Sequence, residues 1–336
     1  MSLIGIDIGN TNCKMAVREG SSMRLVSTRM PENMVNDEGV ASPETMSKFL
    51  RSVREEEHVR ERNCALVLNT SQVYFRHVTL PPMTVSELML NLPYEFRDFI
   101  QDNPEDYVYD YAVDEITCDE EGAPERMELY AAAVRKPLVE QYSAMLKKAG
   151  FKLKMVTTAP MAYMRLIRAF VDANNLYMEE GQDIVLVDIG HADVTVSLFR
   201  GLNYDSARTI DFGCDEFDRI IADLKGIDPY TAGSYKFTNF EGVLDDPACL
   251  ALCDRFALEV SKVVNFYNFS NPEREIGQLF FLGGGSRIEQ LTAAISEAIS
   301  VPTTSIVEIL PDEARGQENA PVCALAIAGV LEGESM

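Results

Sequence analysis

Short apolar runs of strand length, broken by Gly, Asn or Ser, open the chain: Leu3 to Gly9 (LIGIDIG), then CKMAVREG, then SMRLVSTRM. Runs of that length between turn formers predict a three-stranded meander. SPETMSKFLRSVREEEH follows, with Ser42 ahead of Pro43 and Glu44, and with Met46, Phe49, Leu50 and Val53 at helical spacing, so a helix is predicted. CALVLNTS and VYFRHVTLPP read as strands. MTVSELMLNLPYEFRDFI reads as a helix opened by a Thr84 and Glu87 capping box and kinked or ended at Pro93. YVYDYAVDEIT and MELYAAAVRK are two further strands around the polar turn CDEEGAPER, before the helix PLVEQYSAMLKKAG and the strand FKLKMVTTA. Residues from about Gln72 to Lys154 therefore read as a strand, helix, strand, strand, helix, strand unit, compact enough to be an inserted subdomain. PMAYMRLIRAFVDANN is a helix started by Pro160, and the polar LYMEEGQ after it reads as a link between lobes.

The opening pattern then returns as DIVLVDIG (Asp183 to Gly190), VTVSLFRG and YDSARTIDFG, three strands joined by tight turns. The return predicts an internal duplication. A helix over Asp215 to Leu224, a helical region from Tyr230 to Phe269, the strand GQLFFLGGG, the helix SRIEQLTAAISEAI and a last helix PVCALAIAGVL complete the order. A chain of 336 residues is long enough for two separate cores. The pattern divides it into a first lobe over 1–175 containing the insertion at about 72–154, a second lobe over 176–321, and a C-terminal helix over 322–336 returning to the first lobe.

Composition sharpens this outline. Hydrophobic residues at 46% and charged residues at 25% suit a folded, soluble protein rather than a disordered one. No apolar run approaches the roughly 20 residues of a membrane span, and Met1 to Ile8 carries neither a basic region nor a cleavage site. A cytoplasmic location without direct membrane insertion is expected. The formal charge of -23 would repel phosphate backbones and anionic headgroups, which makes nucleic acid a poor partner and leaves basic peptides acceptable. A nucleotide is also compatible where local amides and a metal ion override the global field. Seven cysteines without paired spacing, and only three histidines, suggest neither a disulfide framework nor zinc. Cys249 and Cys253, one helical turn apart, read as small core residues.

Three stretches carry candidate chemistry. In Asp7-Ile8-Gly9-Asn10-Thr11-Asn12-Cys13-Lys14 a strand ends near a carboxylate, and Gly9 permits a tight turn whose amides can surround phosphate oxygens. Asn10, Thr11 and Asn12 add donors, Lys14 returns on the next strand as a point charge, and Asp7 is suited to magnesium through water. The same stretch also satisfies an ordinary hairpin, because Asn and Gly are turn formers. Asp188-Ile189-Gly190-His191-Ala192-Asp193 repeats the arrangement, and two such loops, one per lobe, are expected to face each other across a cleft. His191 reads as a solvated loop side chain. Third, the apolar strand Leu279 to Leu282 runs into Gly283, Gly284, Gly285 and Ser286, where missing side chains let a base or sugar approach the backbone. GxxxxGK[ST] and GxGxxG are both absent, which argues against P-loop and dinucleotide-binding folds.

In this order, DIGNTNCK, VDIGHADVT and FLGGGSRI resemble the two phosphate loops and the adenosine motif of the actin-like ATPase superfamily. VYFRHVTLPPMTVSELMLNLPYEFRDFI with YVYDYAVDE, and later ARTIDFGCDEFDRIIADLKGID and AGSYK, resemble the type IV pilus assembly family PilM and its cell-division relatives of the FtsA family. The resemblance implies an α/β, two-lobed actin-like (ribonuclease H-like) fold with a small inserted α+β subdomain of SHS2 type. It implies ATP and Mg2+ as cofactors, with Asp7 and Asp188 near magnesium in any catalysis. Gly9, Asn10, Thr11, Asn12, Lys14 and Gly190 would lie around phosphate, and Gly283, Gly284, Gly285 and Lys236 around adenosine. The implied partner is the N-terminal cytoplasmic tail of a PilN-like membrane protein, which would hold the chain at the inner membrane, with homo-oligomers compatible. The acidic end ALAIAGVLEGESM lacks the amphipathic helix of FtsA-like proteins and favours the pilus branch.

Departures from the family pattern weaken turnover: Thr158-Ala159 stands where a Glu is usual, Gly233 where a ribose-binding Glu is frequent, and Cys214 where a second glycine is usual. At most a slow ATPase is implied. Two other functions stay open: a small-molecule kinase resembling pantothenate kinases, with Asp193 as base, and a scaffold that has lost its nucleotide. A further alternative use of the apolar LPPMTVSELMLNLPYEF is a peptide groove at Leu88, Met89, Leu90 and Leu92 rather than a helix packed on its own sheet.

Overall fold

The computed structural model describes residues 3–36, 39–174 and 182–331. The opening meander forms as β1 (Ile4–Ile8), β2 (Asn12–Glu19) and β3 (Ser22–Arg29), followed by a short antiparallel pair, β4 (Val35–Asn36) and β5 (Gly39–Val40). Helix α1 (Pro43–Glu56) starts at its proline and buries Met46, Leu50 and Val53, with Phe49 half-buried. Then come β6 (Asn63–Leu68), β7 (Tyr74–Leu80), α2 (Val85–Glu95), β8 (Tyr107–Cys118), β9 (Pro124–Arg135), α3 (Lys136–Ala149), β10 (Lys152–Thr158) and α4 (Ala159–Ala173). The polar stretch expected to link the lobes falls mostly outside the described residues. The second half contains β11 (Gln182–Ile189), β12 (Val194–Arg200), β13 (Asn203–Ile210), α5 (Asp215–Lys225), α6 (Pro229–Thr238), α7 (Pro247–Ser270), β14 (Glu275–Leu282), α8 (Glu289–Ala298), β15 (Thr303–Ser305) and α9 (Ala324–Ala328).

The duplication inferred from sequence is a duplication of topology. One five-stranded sheet has the order β10-β6-β1-β2-β3 and the other β15-β14-β11-β12-β13, so each is an antiparallel meander with two parallel strands added beside its first strand. In the first sheet β1 runs antiparallel to β2, with Asp7 opposite Lys14, and parallel to β6. In the second, β11 runs antiparallel to β12 and parallel to β14, with Asp188 opposite Leu282. Parallel strands end at one edge, which in α/β sheets is the edge where ligands bind.

A third, smaller sheet of order β7-β9-β8 is covered on one face by α2. The predicted capping box of α2 is present: Thr84 Oγ1 accepts from Glu87 N at 3.4 Å and Glu87 Oε2 accepts from Thr84 N at 2.8 Å. Pro93 lies inside the last turn, and the helix ends two residues later. Leu88 and Leu92 are buried with Val78, Phe96, Leu129 and Ala131, whereas Met89 is 42% and Leu90 73% exposed. The apolar stretch thus splits into a packed face and a solvent face.

Two boundaries differ from the expected ones. β10, expected within the inserted unit, pairs in parallel with β6 in the first five-stranded sheet, and α3 packs on α1 through Ser47 Oγ, 3.2 Å from the Met145 carbonyl. Which sheet a strand joins is decided by non-local pairing that leaves no mark in a local pattern. By its internal contacts the chain forms two compact units, one of Met1–Arg18, Thr28–Ala162 and Gly329–Met336 and one of Glu19–Ser27 and Tyr163–Ala328. These units group α4 from Tyr163 onward, and α9, with the second half of the chain, and Gly329 to Leu331 with the first.

The core of the second unit gathers β11, β12 and β14 against α5, α7 and α8, and includes both Cys249 and Cys253. Burial pushes these thiols up, to about 11 and about 12. At the far end of β11 from Asp188, the Asp183 carboxylate is only 1% exposed. It accepts from Arg274 Nε at 2.8 Å, Tyr267 Oη at 2.7 Å and Gly201 N at 3.1 Å. These bonds tie β14, α7 and the β12-β13 turn to β11. Asp183→Ala strips the acceptor from a guanidinium, a buried phenol and an amide together, and is expected to lower unfolding free energy by about 3–5 kcal/mol. Urea denaturation measures it, and a midpoint equal to that of the parent would contradict this role.

Candidate functional site

At the end of β1 the chain turns so tightly that Gly9 N donates to the Asn12 carbonyl at 3.1 Å. Asp7 is buried, and its Oδ2 lies 2.9 Å from Nζ of its cross-strand partner Lys14. A side chain at position 9 would begin 2.8 Å from that ammonium, which is the local reason for glycine there. Asn10 is exposed at the tip, while Thr11 and Asn12 are half-buried. The Thr11 carbonyl accepts from Met30 N at 2.8 Å, and Asn69 Nδ2, just past β6, reaches the Ile8 carbonyl at 3.4 Å. The turn is held from two sides, with one cation and one carboxylate at its base.

The second turn is built the same way. Gly190 N donates to the Asp193 carbonyl at 2.9 Å, and the carbonyls of Gly190 and His191 accept from Cys214 N and Asp215 N, which anchors the start of α5 on the turn. Asp188 Oδ2 accepts from Tyr163 Oη at 3.1 Å. Close backbone approach demands several glycines here. A Cβ at Gly213 would stand 2.3 Å from the His191 carbonyl oxygen, and one at Gly190 2.8 Å from that of Asp193.

The three glycines after β14 do different jobs. Gly283 has φ +83, and a Cβ there would meet Asp188 Oδ1 at 2.4 Å. A Cβ at Gly285 would strike the Ile189 side chain at 2.2 Å and Cys214 Sγ at 2.6 Å. Gly284 would meet nothing within 4 Å, so only its missing side chain opens onto space. Ser286 Oγ turns back to the Gly283 carbonyl at 2.7 Å. The helix expected straight after Ser286 is a 3-10 turn over Gly284–Arg287, and α8 begins at Glu289. Because β11 and β14 are parallel neighbours, the second turn and this glycine run leave one sheet edge together.

Lys236 is placed differently from the other candidates. Its buried Nζ lies 2.6 Å from Asp218 Oδ1 and donates to the Cys214 carbonyl at 2.7 Å, pinning α6 to the start of α5. His191 Nδ1 is 3.9 Å from Asp218 Oδ2. The Cys214 thiol, buried under Gly285, is pushed up to about 12, chiefly by desolvation, so it packs rather than reacts. Sequence reasoning missed Tyr163, Asp218 and Gly213 as parts of this edge. For Gly213 a signal existed, since a glycine between two strand-to-helix elements marks close backbone approach. For Tyr163 and Asp218 only the folded geometry shows the pairing.

The donor sets suit an anionic ligand with a cation. Each turn offers a carboxylate at a sheet edge and a backbone bend closed by glycine, Lys14 adds positive charge, and Gly284 leaves room where a side chain would otherwise project.

Two equivalent sheets of this order, each with a carboxylate and glycine turn at the same edge, define the α/β actin-like fold. The chain matches the family model of the type IV pilus assembly protein PilM over residues 5–316, and it belongs to that family. Among solved structures it is similar to the PilM-PilN type IV pilus biogenesis complex, with 20% identity, TM-score 0.79 and 98% of each chain covered. It is also similar to the ethanolamine utilization protein EutJ from Carboxydothermus hydrogenoformans, with 13% identity, TM-score 0.60, and 99% of this chain and 90% of that one covered.

The glycine run gives a direct contrast. Gly283→Ala must accept a left-handed backbone and a clash with Asp188, and is expected to cost about 1–3 kcal/mol. Gly284→Ala is expected to stay within about 0.5 kcal/mol of the parent. Parallel urea titrations of the two variants check this, and equal losses would contradict it.

Proposed function

We propose that this chain is an ATP- and Mg2+-binding platform of type IV pilus assembly that holds the N-terminal cytoplasmic tail of a PilN-like membrane protein. Family membership and the likeness to a PilM-PilN complex support the assembly role. The observation that carries the nucleotide part is the repeated carboxylate and glycine turn at the same edge of two equivalent sheets, one beside Lys14 and one beside the open position at Gly284. Bound ATP with Mg2+ would supply a polyanion whose binding energy differs between conformations of the protein. Asp7 and Asp188 would hold the cation through water, since each already has a partner on Oδ2. Gly9, Asn10, Thr11, Asn12, Lys14 and Gly190 would bind phosphate oxygens. Gly283, Gly284 and Gly285 would line the nucleoside, and Lys236 would act through the Cys214 carbonyl that it holds.

Binding rather than rapid turnover suits the residues present. Thr158, at the end of β10, uses its hydroxyl to accept from Met161 N at 3.3 Å and so caps α4. A hydroxyl employed in this way is no general base for an attacking water. No helix among the described residues is long and apolar enough to cross a membrane, which fits attachment to the inner membrane through a partner. The strong negative charge suits a basic tail.

If nucleotide changes the form that binds the tail, linkage requires ATP to alter tail affinity by the same factor as the tail alters ATP affinity. Calorimetric titration of the tail peptide of the organism's own PilN-like protein, with and without ATP and Mg2+, is expected to give binding in both cases and an affinity change of about 5-fold or more. An absence of peptide binding would overturn the platform role. Binding with identical affinities would remove the switch.

A further inference from the structure

The sheet β7-β9-β8 has a second face that α2 does not cover. Val78, Met127, Leu129, Ala131 and Ala133 point into the α2 core, so their alternate neighbours His77, Glu128 and Tyr130 lie on the other side. β8 carries an irregularity just there: Val113 pairs with Leu129 and Glu115 with Glu128, which leaves Asp114 as an extra residue. Such a bulge re-aims a side chain. Here the Asp114 carboxylate arrives beside His77, with Oδ2 3.3 Å from Nε2, while Glu128 Oε2 is 3.8 Å from the same nitrogen.

We propose that His77, Asp114 and Glu128 form a binding site for a divalent transition metal ion of the zinc class, which joins all three strands of the small sheet. One donor atom from each residue lies within 4.8 Å of the others. Donors about 2.0–2.1 Å from a tetrahedral zinc ion stand roughly 3.3 Å apart; the His77-Asp114 pair already has that spacing, and Glu128 would close on it from 3.8 Å at His77 and from within 4.8 Å of Asp114. An imidazole with two carboxylates is a borderline donor set that favours zinc over the all-oxygen preference of magnesium. The three side chains are 35%, 11% and 22% exposed, enough burial to strengthen binding and enough opening for a water in the fourth position.

Neighbouring groups orient the donors. Arg126 holds Glu128 Oε1 at 3.0 Å, which leaves Oε2 directed at His77. The Tyr130 ring lies 4.8 Å from the His77 ring and stacks on Phe75 at 5.6 Å, so the imidazole has a fixed wall. Counting cysteines and histidines along the chain cannot find such a site, because its ligands come from three strands and only one is a histidine.

The test is calorimetric titration of the full chain, stripped with chelator, with Zn2+ alone as probe and millimolar Mg2+ present to occupy oxygen-rich sites. One zinc ion per chain is expected at micromolar affinity or tighter. His77→Ala and Asp114→Asn are each expected to weaken it at least tenfold, and the second preserves side-chain size should the first disturb folding. Cys118→Ser, which removes the exposed thiol at the end of β8, is expected to leave it unchanged. No zinc binding, binding untouched in both ligand variants, or binding lost with Cys118 would each overturn the site.

Discussion

A methyl group on Gly283 would sit 2.4 Å from the carboxylate of Asp188, and this steric prohibition fixes how the second unit presents its polar atoms. β11 and β14 are parallel neighbours, so their ends emerge side by side, and the backbone after β14 passes against the turn after β11. Gly285 repeats the demand one step further on, against Ile189 and Cys214, and Gly213 repeats it beneath His191. Three chain segments thereby converge on one edge. A surface built of amides and carbonyls at strand ends recognises phosphate and sugar by geometry rather than by side-chain charge. Under the proposed function, such a surface is what would let a protein with a formal charge of -23 accept an anion.

The first unit solves the same problem with charge as well as shape. Asp7 is buried and would be costly there alone, and Lys14 offsets it directly across the ladder. Removing Lys14 takes away the ammonium that faces the buried Asp7 carboxylate, so the pair has a structural part. At the second turn Asp188 accepts from a tyrosine hydroxyl, and the buried Lys236 is engaged with Asp218 and the Cys214 carbonyl. The duplicated topology thus places a lysine opposite the first carboxylate and a tyrosine hydroxyl on the second.

Much of this was legible in the sequence because the signals are local. LIGIDIG and DIVLVDIG mark the first strand of each meander, Thr84 and Glu87 mark the start of α2, and Gly150, with φ +92, marks the end of α3. What stayed hidden depends on pairing between distant segments. The partner of β10, the membership of α4 and α9, the Asp183 cluster with Arg274 and Tyr267, and the bulge that brings Asp114 to His77 are all set by the fold as a whole. The glycine run illustrates the boundary between the two. Its sequence announces close approach, but only the structure separates Gly283 and Gly285, required by the protein itself, from Gly284, which faces open space.

The central claim is the proposed binding of nucleotide at the carboxylate and glycine turns, and the most direct measurement is calorimetric titration of the full chain with ATP in the presence of Mg2+. One ATP per chain is predicted, with affinity reduced at least tenfold by Lys14→Met in one turn and by Asp188→Asn in the other. Binding that survives both substitutions, or no binding by the parent chain, would contradict the account.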